Sequence, residues 1–334
     1  MVLNRRDFLK ATGAFSLLPW HGWRSTAATT LTMQLDWQFN AQFAGVLLAD
    51  ATGLYQQKGI KLNIQAASAG LDVPSAVAQA KHSLGCIEQT LLLEAQAQGL
   101  PLVAIAAMLQ ASPLALMSLP TQPIEALADL AHRRIGVHSD GRKALELVIG
   151  VNQLDPQSIE IVDIPYADKQ AYLLNGDCDA IQCYNLDEPI AFAAETGSQP
   201  VILKLSDYGF DGYSQVIFTT RDLLAASPDV IRRFLVATFD GWRRAIADIP
   251  NTAHLIATRY AEGAYASAAY QAASLAIVAD YVQKGLSPAQ LGYISPQRWQ
   301  QTAQQFQTYG LIKSLPDLEK SLATEFRNPA SGFG

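Results

Sequence analysis

The sequence predicts an α/β protein of two lobes joined by two crossings of the chain, with a helical layer at the carboxyl end. Three observations predict it. Short β-rich runs alternate with segments of helical period, the pattern of α/β architecture with mostly parallel strands. Two stretches rich in proline, glycine or aromatics interrupt that alternation. From residue 228 the strands stop and long helical patterns follow.

Taken in order, the run LTMQLD predicts a first strand that carries Asp36 and Trp37 at its end, and AGVLLADATGLY predicts the helix that leaves them. The carboxyl end of a strand is where open α/β sheets put their ligands. IKLNIQ, HSLGCIE, LVAIAAML and PLALMSL predict four more strands, separated by the helical segments DVPSAVAQA and TLLLEAQAQG. The last of these strands runs into two prolines in SPLALMSLPTQPI, which marks a first crossing. A second unit begins there: RRIGVH, IEIVDI, DAIQCYN and PVILKL as strands, GRKALELVIGVNQL and KQAYLLNGD as helices.

The loop DYGFDGY then feeds a tenth strand, SQVIFTT, and marks a second crossing. Residues 118–213 are thus expected to form one lobe, and residues 29–117 with 214–334 the other. Two such crossings over a cleft permit hinge closure on a ligand. Four helical patterns complete the chain, opening on Pro or Ser and mostly closing on Gly, as helix ends do. No repeat of 20–50 residues appears, which removes solenoids and propellers.

Composition excludes several function classes. The 334 residues are 49% hydrophobic, enough for a large core and two lobes, and a disordered chain is excluded. Net charge is −6 with no Lys/Arg run beyond the first ten residues. Nucleic acid is excluded as a partner, because a phosphate-tracking protein needs a basic face.

The amino terminus, NRRDFLKATGAFSLLPW, has paired Arg5 and Arg6 before a short, mildly apolar run. It looks like a twin-arginine export signal over residues 1–28, with cleavage expected after Thr26-Ala27-Ala28. The usual Ser before the arginines is Asn4 here. The apolar run is too short for a bilayer span, which takes ~20 residues. Cleavage removes four basic residues and one acid, moving the net charge from −6 to −9. Cys86, Cys178 and Cys183 are an odd set without framework spacing and read as small buried residues.

The chemistry of the common enzyme motifs is missing. There is no phosphate-binding Gly-x4-Gly-Lys-Ser/Thr, no G-x-G-x-x-G after a strand, no H-E-x-x-H and no G-x-S-x-G. The five histidines are scattered without metal-ligand spacing. No catalytic constellation, metal site or cofactor is therefore expected. Aromatics paired with acceptors at strand ends are present instead.

These candidates are Asp36, Trp37 and Asn40 after the first strand, Glu88 and Gln89 after LGCI, Tyr184, Asn185 and Glu188 in CYNLDEP, and Tyr213 in the second crossing. Together they suit an aromatic ligand with exocyclic amines, the rings stacking on it and the carboxylates accepting its N–H groups. Other uses stay open: Asp36 or Asn40 as helix caps, Trp37 and Tyr184 as core, Glu188 as the acid favoured by a helix amino terminus. Trp242 and Trp299 lie in helical patterns and read as packing anchors. Arg142, at a helix start, is the one candidate anion contact.

The stretch LDWQFNAQFAGVLLADATGLYQQKGIKLNI resembles the opening of the SsuA/thiamine-pyrimidine-synthase-like family of ABC transporter substrate-binding proteins. NGDCDAIQCYNLDEP, DYGFDGYSQVIFTT, TFDGWRRAIADIPNTAHLI and PQRWQQTAQQFQTYGLI extend the resemblance over nearly the whole mature chain. It implies a type II periplasmic-binding-protein fold. In pyrimidine-binding members the ring stacks on aromatics while an acid three to four residues after a Tyr accepts amine protons, a pattern that Trp37, Tyr184 and Glu188 match. Asp36 matches the acid before the Trp.

Where family openings carry Pro-Asn and a His before Ala-Gly, this chain has Phe39-Asn40 and Phe43. The synthases of the group consume that His and use a Cys-rich motif; only Cys183 stands near the corresponding place. The resemblance therefore implies a non-enzymatic, periplasmic, monomeric importer subunit that gathers a small planar nitrogenous ligand, a thiamine pyrimidine precursor, and hands it to an inner-membrane ABC transporter permease. Sulfonate, taurine or riboflavin uptake, a pyrimidine synthase and a sensory module are the alternatives.

Overall fold

The computed structural model describes residues 28–68, 70–165 and 169–326; the export signal expected over residues 1–28 lies outside them apart from Ala28. All ten strands expected from the sequence form. In chain order they are β1 (Thr29–Gln34), β2 (Ile60–Gln65), β3 (Ser83–Ile87), β4 (Leu102–Leu109), β5 (Leu114–Ser118), β6 (Arg134–Val137), β7 (Glu160–Asp163), β8 (Ala180–Tyr184), β9 (Val201–Lys204) and β10 (Ser214–Thr220).

They build two five-stranded sheets, β2-β1-β3-β10-β4 and β7-β6-β8-β5-β9. The two orders are one topology used twice. In each sheet the first three strands of a unit pair in parallel, and the fourth place is taken by the strand that arrives from the other lobe. That arriving strand, β10 or β5, is antiparallel to both neighbours. Each sheet is therefore mixed, with four strands running the same way, as expected, and the arriving strand against them. A strand entering directly from the opposite lobe runs against strands whose helical crossovers return the chain to the same starting edge.

The topology also moves one boundary. β5 pairs with β8 and β9, so it belongs to the second sheet, and the first crossing lies at residues 110–113 rather than after residue 117. Proline spacing pointed to the far end of β5, whereas the turn that changes sheets is the polar Gln110-Ala111-Ser112-Pro113 before it. β10 starts at Ser214, after the loop of the second crossing.

The helical layer consists of Pro228–Ala247, Ile249–Arg259, Ala268–Gln283 and Pro296–Thr308. Asp248, Ser267 and Ser295 cap the last three through side-chain oxygens that accept backbone N–H groups. Helix Pro228–Ala247 buries Ile231, Phe234, Leu235, Thr238, Phe239, Trp242 and Ala245, one face of a 3.6-residue repeat. It crosses helix Ala44–Ala51 closely, because a Cβ on Gly45 would lie 2.2 Å from Trp242 and one on Gly241 would lie 2.1 Å from the Gly45 carbonyl oxygen. This crossing fixes the helix that follows Asp36 and Trp37. Trp242 and Trp299 are core anchors, as their helical setting suggested.

Candidate ligand-binding cleft

β1, β3 and the start of β10 bring three side chains of one lobe together. Asp36 follows β1, and both its carboxylate oxygens accept from Gln215 Nε2, each at 3.1 Å. Glu88 follows β3 and accepts from Ser112 Oγ in the first crossing at 3.2 Å. The two carboxyls are close enough that the charge of Asp36 opposes ionisation of Glu88. Burial is the larger cause in both: it raises Asp36 to about 7, with Gln215 opposing. It raises Glu88 likewise to about 7, opposed by hydroxyls that include Ser214 and Tyr184.

The second lobe meets this wall through β8. Tyr184, at its end, donates its hydroxyl to Glu88 Oε1 at 2.7 Å, so two of the residues expected from the sequence touch across the lobes. A cavity of about 200 Å³ lies beside them, with Leu91, Glu94, Lys143 and Phe210 in its walls. Lys143 Nζ and Glu94 Oε2, one from each lobe, pair there at 3.1 Å.

A second set of contacts joins the lobes beside Trp37. The Trp37 ring is 38% exposed, and its Nε1 donates to the Tyr265 hydroxyl at 2.9 Å. Tyr265 in turn donates to Asp187 Oδ2 at 2.9 Å, and Tyr270 donates to the other oxygen of the same carboxylate. Asp187 belongs to the loop after β8, and its buried carboxyl is raised to about 6, first by burial and then by the charge of Glu188. Ser274 Oγ adds a bond to the Leu186 carbonyl at 2.6 Å.

The other expected residues have different positions. Glu188 accepts from Lys169 and, at 2.7 Å, from the Tyr184 backbone N–H, so it ties off the end of β8. Asn40 caps the turn Ala41–Phe43 by accepting from Gln42 N at 3.0 Å, while its Nδ2 is buried without a partner. Asn185 is buried behind Tyr184, with its backbone N–H on the Pro113 carbonyl.

Gln89 and Tyr213 are scaffolding rather than cleft wall. Gln89 is fully buried, and it exchanges bonds with the Tyr213 backbone at 3.0 and 3.1 Å. The Tyr213 ring is 2% exposed, stacks on Trp299 and lies 4.1 Å under the Arg298 guanidinium. Both fasten the second crossing to helix Pro296–Thr308. Arg142 faces Asp163, Glu146 and the Ile161 carbonyl.

Sequence reasoning missed Gln215, Ser112, Ser214, Tyr265 and Tyr270 as site residues, and named Asp187 without choosing it. A glutamine at the head of the apolar run SQVIFTT was one available signal. The tyrosines looked like ordinary members of a helical pattern. Among the described residues no group of three or more His, Cys, Asp or Glu is placed to hold a metal, and no helix is long and apolar enough to cross a membrane. The three cysteines are free and buried.

Comparison with known proteins agrees with this architecture. The chain is 24% identical over 314 residues to the riboflavin-binding protein RibY of Chloroflexus aurantiacus, covering 89% of this chain and 85% of that one. It is 24% identical over 228 residues to the 4-amino-5-hydroxymethyl-2-methylpyrimidine phosphate synthase of Legionella pneumophila, covering 65% of this chain and 69% of the relative. The periplasmic aliphatic sulphonate binding protein SsuA from Escherichia coli superposes with a TM-score of 0.68 at 18% identity, covering 90% of this chain and 99% of that one. That likeness establishes a type II periplasmic-binding-protein fold. Residues 40–253 match the family described as NMT1/THI5 like, and the chain belongs to that family.

Proposed function

We propose that the protein is the exported, monomeric substrate-binding subunit of an ABC importer, and that its ligand is a small planar amine-bearing ring of the thiamine-pyrimidine type. The observation that carries this reading is the partly buried pair Asp36 and Glu88, met across the cleft by Tyr184 and flanked by the more exposed Trp37. An acceptor-rich wall beside aromatic faces suits a ring with N–H donors. Several candidate cations are paired: Lys169 with Glu188, Lys143 with Glu94, Arg142 with Asp163 and Arg298 with Asp211. That pairing disfavours a sulfonate.

The mechanism is lobe closure. Tyr184 on Glu88 and the Tyr265, Tyr270 and Asp187 cluster are the contacts that closure makes, and the ligand gains affinity by burial between them. The permease in the inner membrane recognises the closed form, and export by the twin-arginine route delivers the subunit to the periplasm. A synthase would require a reacting side chain in place of Phe43, and Phe43 is fully buried in the lobe-one core. The test is calorimetric titration of residues 29–334 with aminomethyl- and hydroxymethyl-pyrimidines, riboflavin and alkanesulfonates. Binding of pyrimidines alone supports the reading; binding of sulfonates alone rejects it.

A further inference from the structure

Gln215 has a left-handed backbone, φ 49°, inside an otherwise extended strand. Such a conformation is uncommon for a non-glycine residue and is maintained where surrounding structure and function demand it. Its neighbours Ser214 and Val216 pair with Leu109 and Ala107 of β4, and neither ladder of β10 contains a pair for Gln215. The side chain is fully buried. Its Nε2 donates to both oxygens of Asp36, each at 3.1 Å, which turns the amide oxygen away from that carboxyl.

The amide oxygen that remains is buried and has no hydrogen-bond partner. Buried polar atoms in native proteins have partners, so each such atom calls for an explanation. Here it lies on the residue that holds Asp36, while the neighbouring Ser214 hydroxyl is turned to the Glu88 carboxyl. Scaffolding does not account for it, because a β10 residue needed only for packing would carry an apolar side chain in the ordinary strand conformation.

We propose that Gln215 is a specificity-determining residue of this cleft: its strained backbone aims the amide so that Nε2 orients Asp36 while Oε1 accepts from the ligand, setting the site for an edge that carries at least two N–H donors. The inference rests on the function proposed above and narrows it. Rings that replace an exocyclic amine by a carbonyl or methyl group leave Gln215 Oε1 or Asp36 unpaired, and such ligands are rejected. Gln215 also lowers the carboxyl of Asp36 against the effect of burial, so its removal shifts the titration of Asp36 upward.

The test compares wild type with Gln215→Met, which keeps the length, and Gln215→Gly, which keeps the left-handed backbone without strain. Calorimetry reads affinity for a 4-aminopyrimidine and for its 4-oxo and 4-methyl analogues from pH 5.5 to 8.5. The expected result is a wild-type preference for the amine that falls about tenfold or more in both variants. The pH midpoint of binding should also move upward, because Asp36 loses the bond that lowers its carboxyl, whereas the loss of preference among the three rings reads the contact of Oε1 with ligand. An unchanged preference in variants that fold overturns the inference while leaving the importer reading intact. If wild type binds none of the three rings, the function proposed above fails and the inference fails with it.

Discussion

Replacing Glu88 by Gln should stabilise the empty protein, by an amount that grows with pH. The carboxyl moves from its ordinary value of 4.5 to about 7 in the fold. The folded state therefore holds a proton that the unfolded chain releases, so stability falls as pH rises from about 4.5 to 7 and levels off above that. The difference corresponds to roughly 3 kcal/mol at pH 8, at 1.36 kcal/mol per pH unit. The amide oxygen of the variant can still accept from Tyr184 and Ser112, and its NH2 group faces Ser214, so the polar contacts survive.

Urea denaturation of both proteins at half-unit steps from pH 4.5 to 8.5 measures this. The variant should match wild type near pH 4.5 and gain on the order of 2–3 kcal/mol by pH 8, while losing ligand binding. A stability difference that stays flat with pH would refute the reasoning, because it would mean that Glu88 is solvated or already neutralised by a partner. The site would then be a salt-bridge network, and its acids would have no reserve for a ligand.

Three other outcomes follow from the same geometry. Trp37 is the exposed tryptophan of the mature chain, and its Nε1 bond depends on Tyr265. Tyr265→Phe should change its emission, and lowering the pH through about 6, where Asp187 protonates, should change it in wild type but not in Trp37→Phe. Gly45→Ala drives a methyl group into Trp242 and should cost about 3 kcal/mol by thermal unfolding, whereas a loss below 0.5 kcal/mol, or about that, would show that the crossing yields. Lys143→Met removes the inter-lobe pair with Glu94, whose side chains are 37% and 29% exposed, and should change stability by less than about 1 kcal/mol in urea.

The strands were legible because each is a β-rich apolar run bounded by turn residues, and the helical layer because of its caps and its 3.6-residue repeat. Sheet membership was not. A run such as PLALMSL carries no mark of the sheet it joins, and only the pairing of β5 with β8 and β9 assigns it. At the site, Asp36, Trp37, Glu88 and Tyr184 were readable because polar or aromatic residues at strand ends stand out against apolar runs.

Glu188 and Asp187 show the limit of that reasoning. The two acids are adjacent, and which faces the other lobe depends on where the helix Glu188–Thr196 begins, a choice of one residue. Gln89 and Tyr213 share the composition of ligand contacts but are held by Trp299 and Arg298 on an element more than 80 residues away. Gln215 was hidden for a different reason, since a left-handed residue in a strand is a backbone property that side-chain pattern does not carry.

The most direct test of the central claim is thermal unfolding of residues 29–334, wild type and Trp37→Ala, against pyrimidines, riboflavin and alkanesulfonates. At a ligand concentration ~100 times the dissociation constant, binding should stabilise the native state by ~2.7 kcal/mol. The account predicts that shift for an amine-bearing pyrimidine in wild type and its loss in Trp37→Ala, whose exposed ring can be removed without disturbing the core. A shift with sulfonates alone, or an equal shift in the variant, would contradict it.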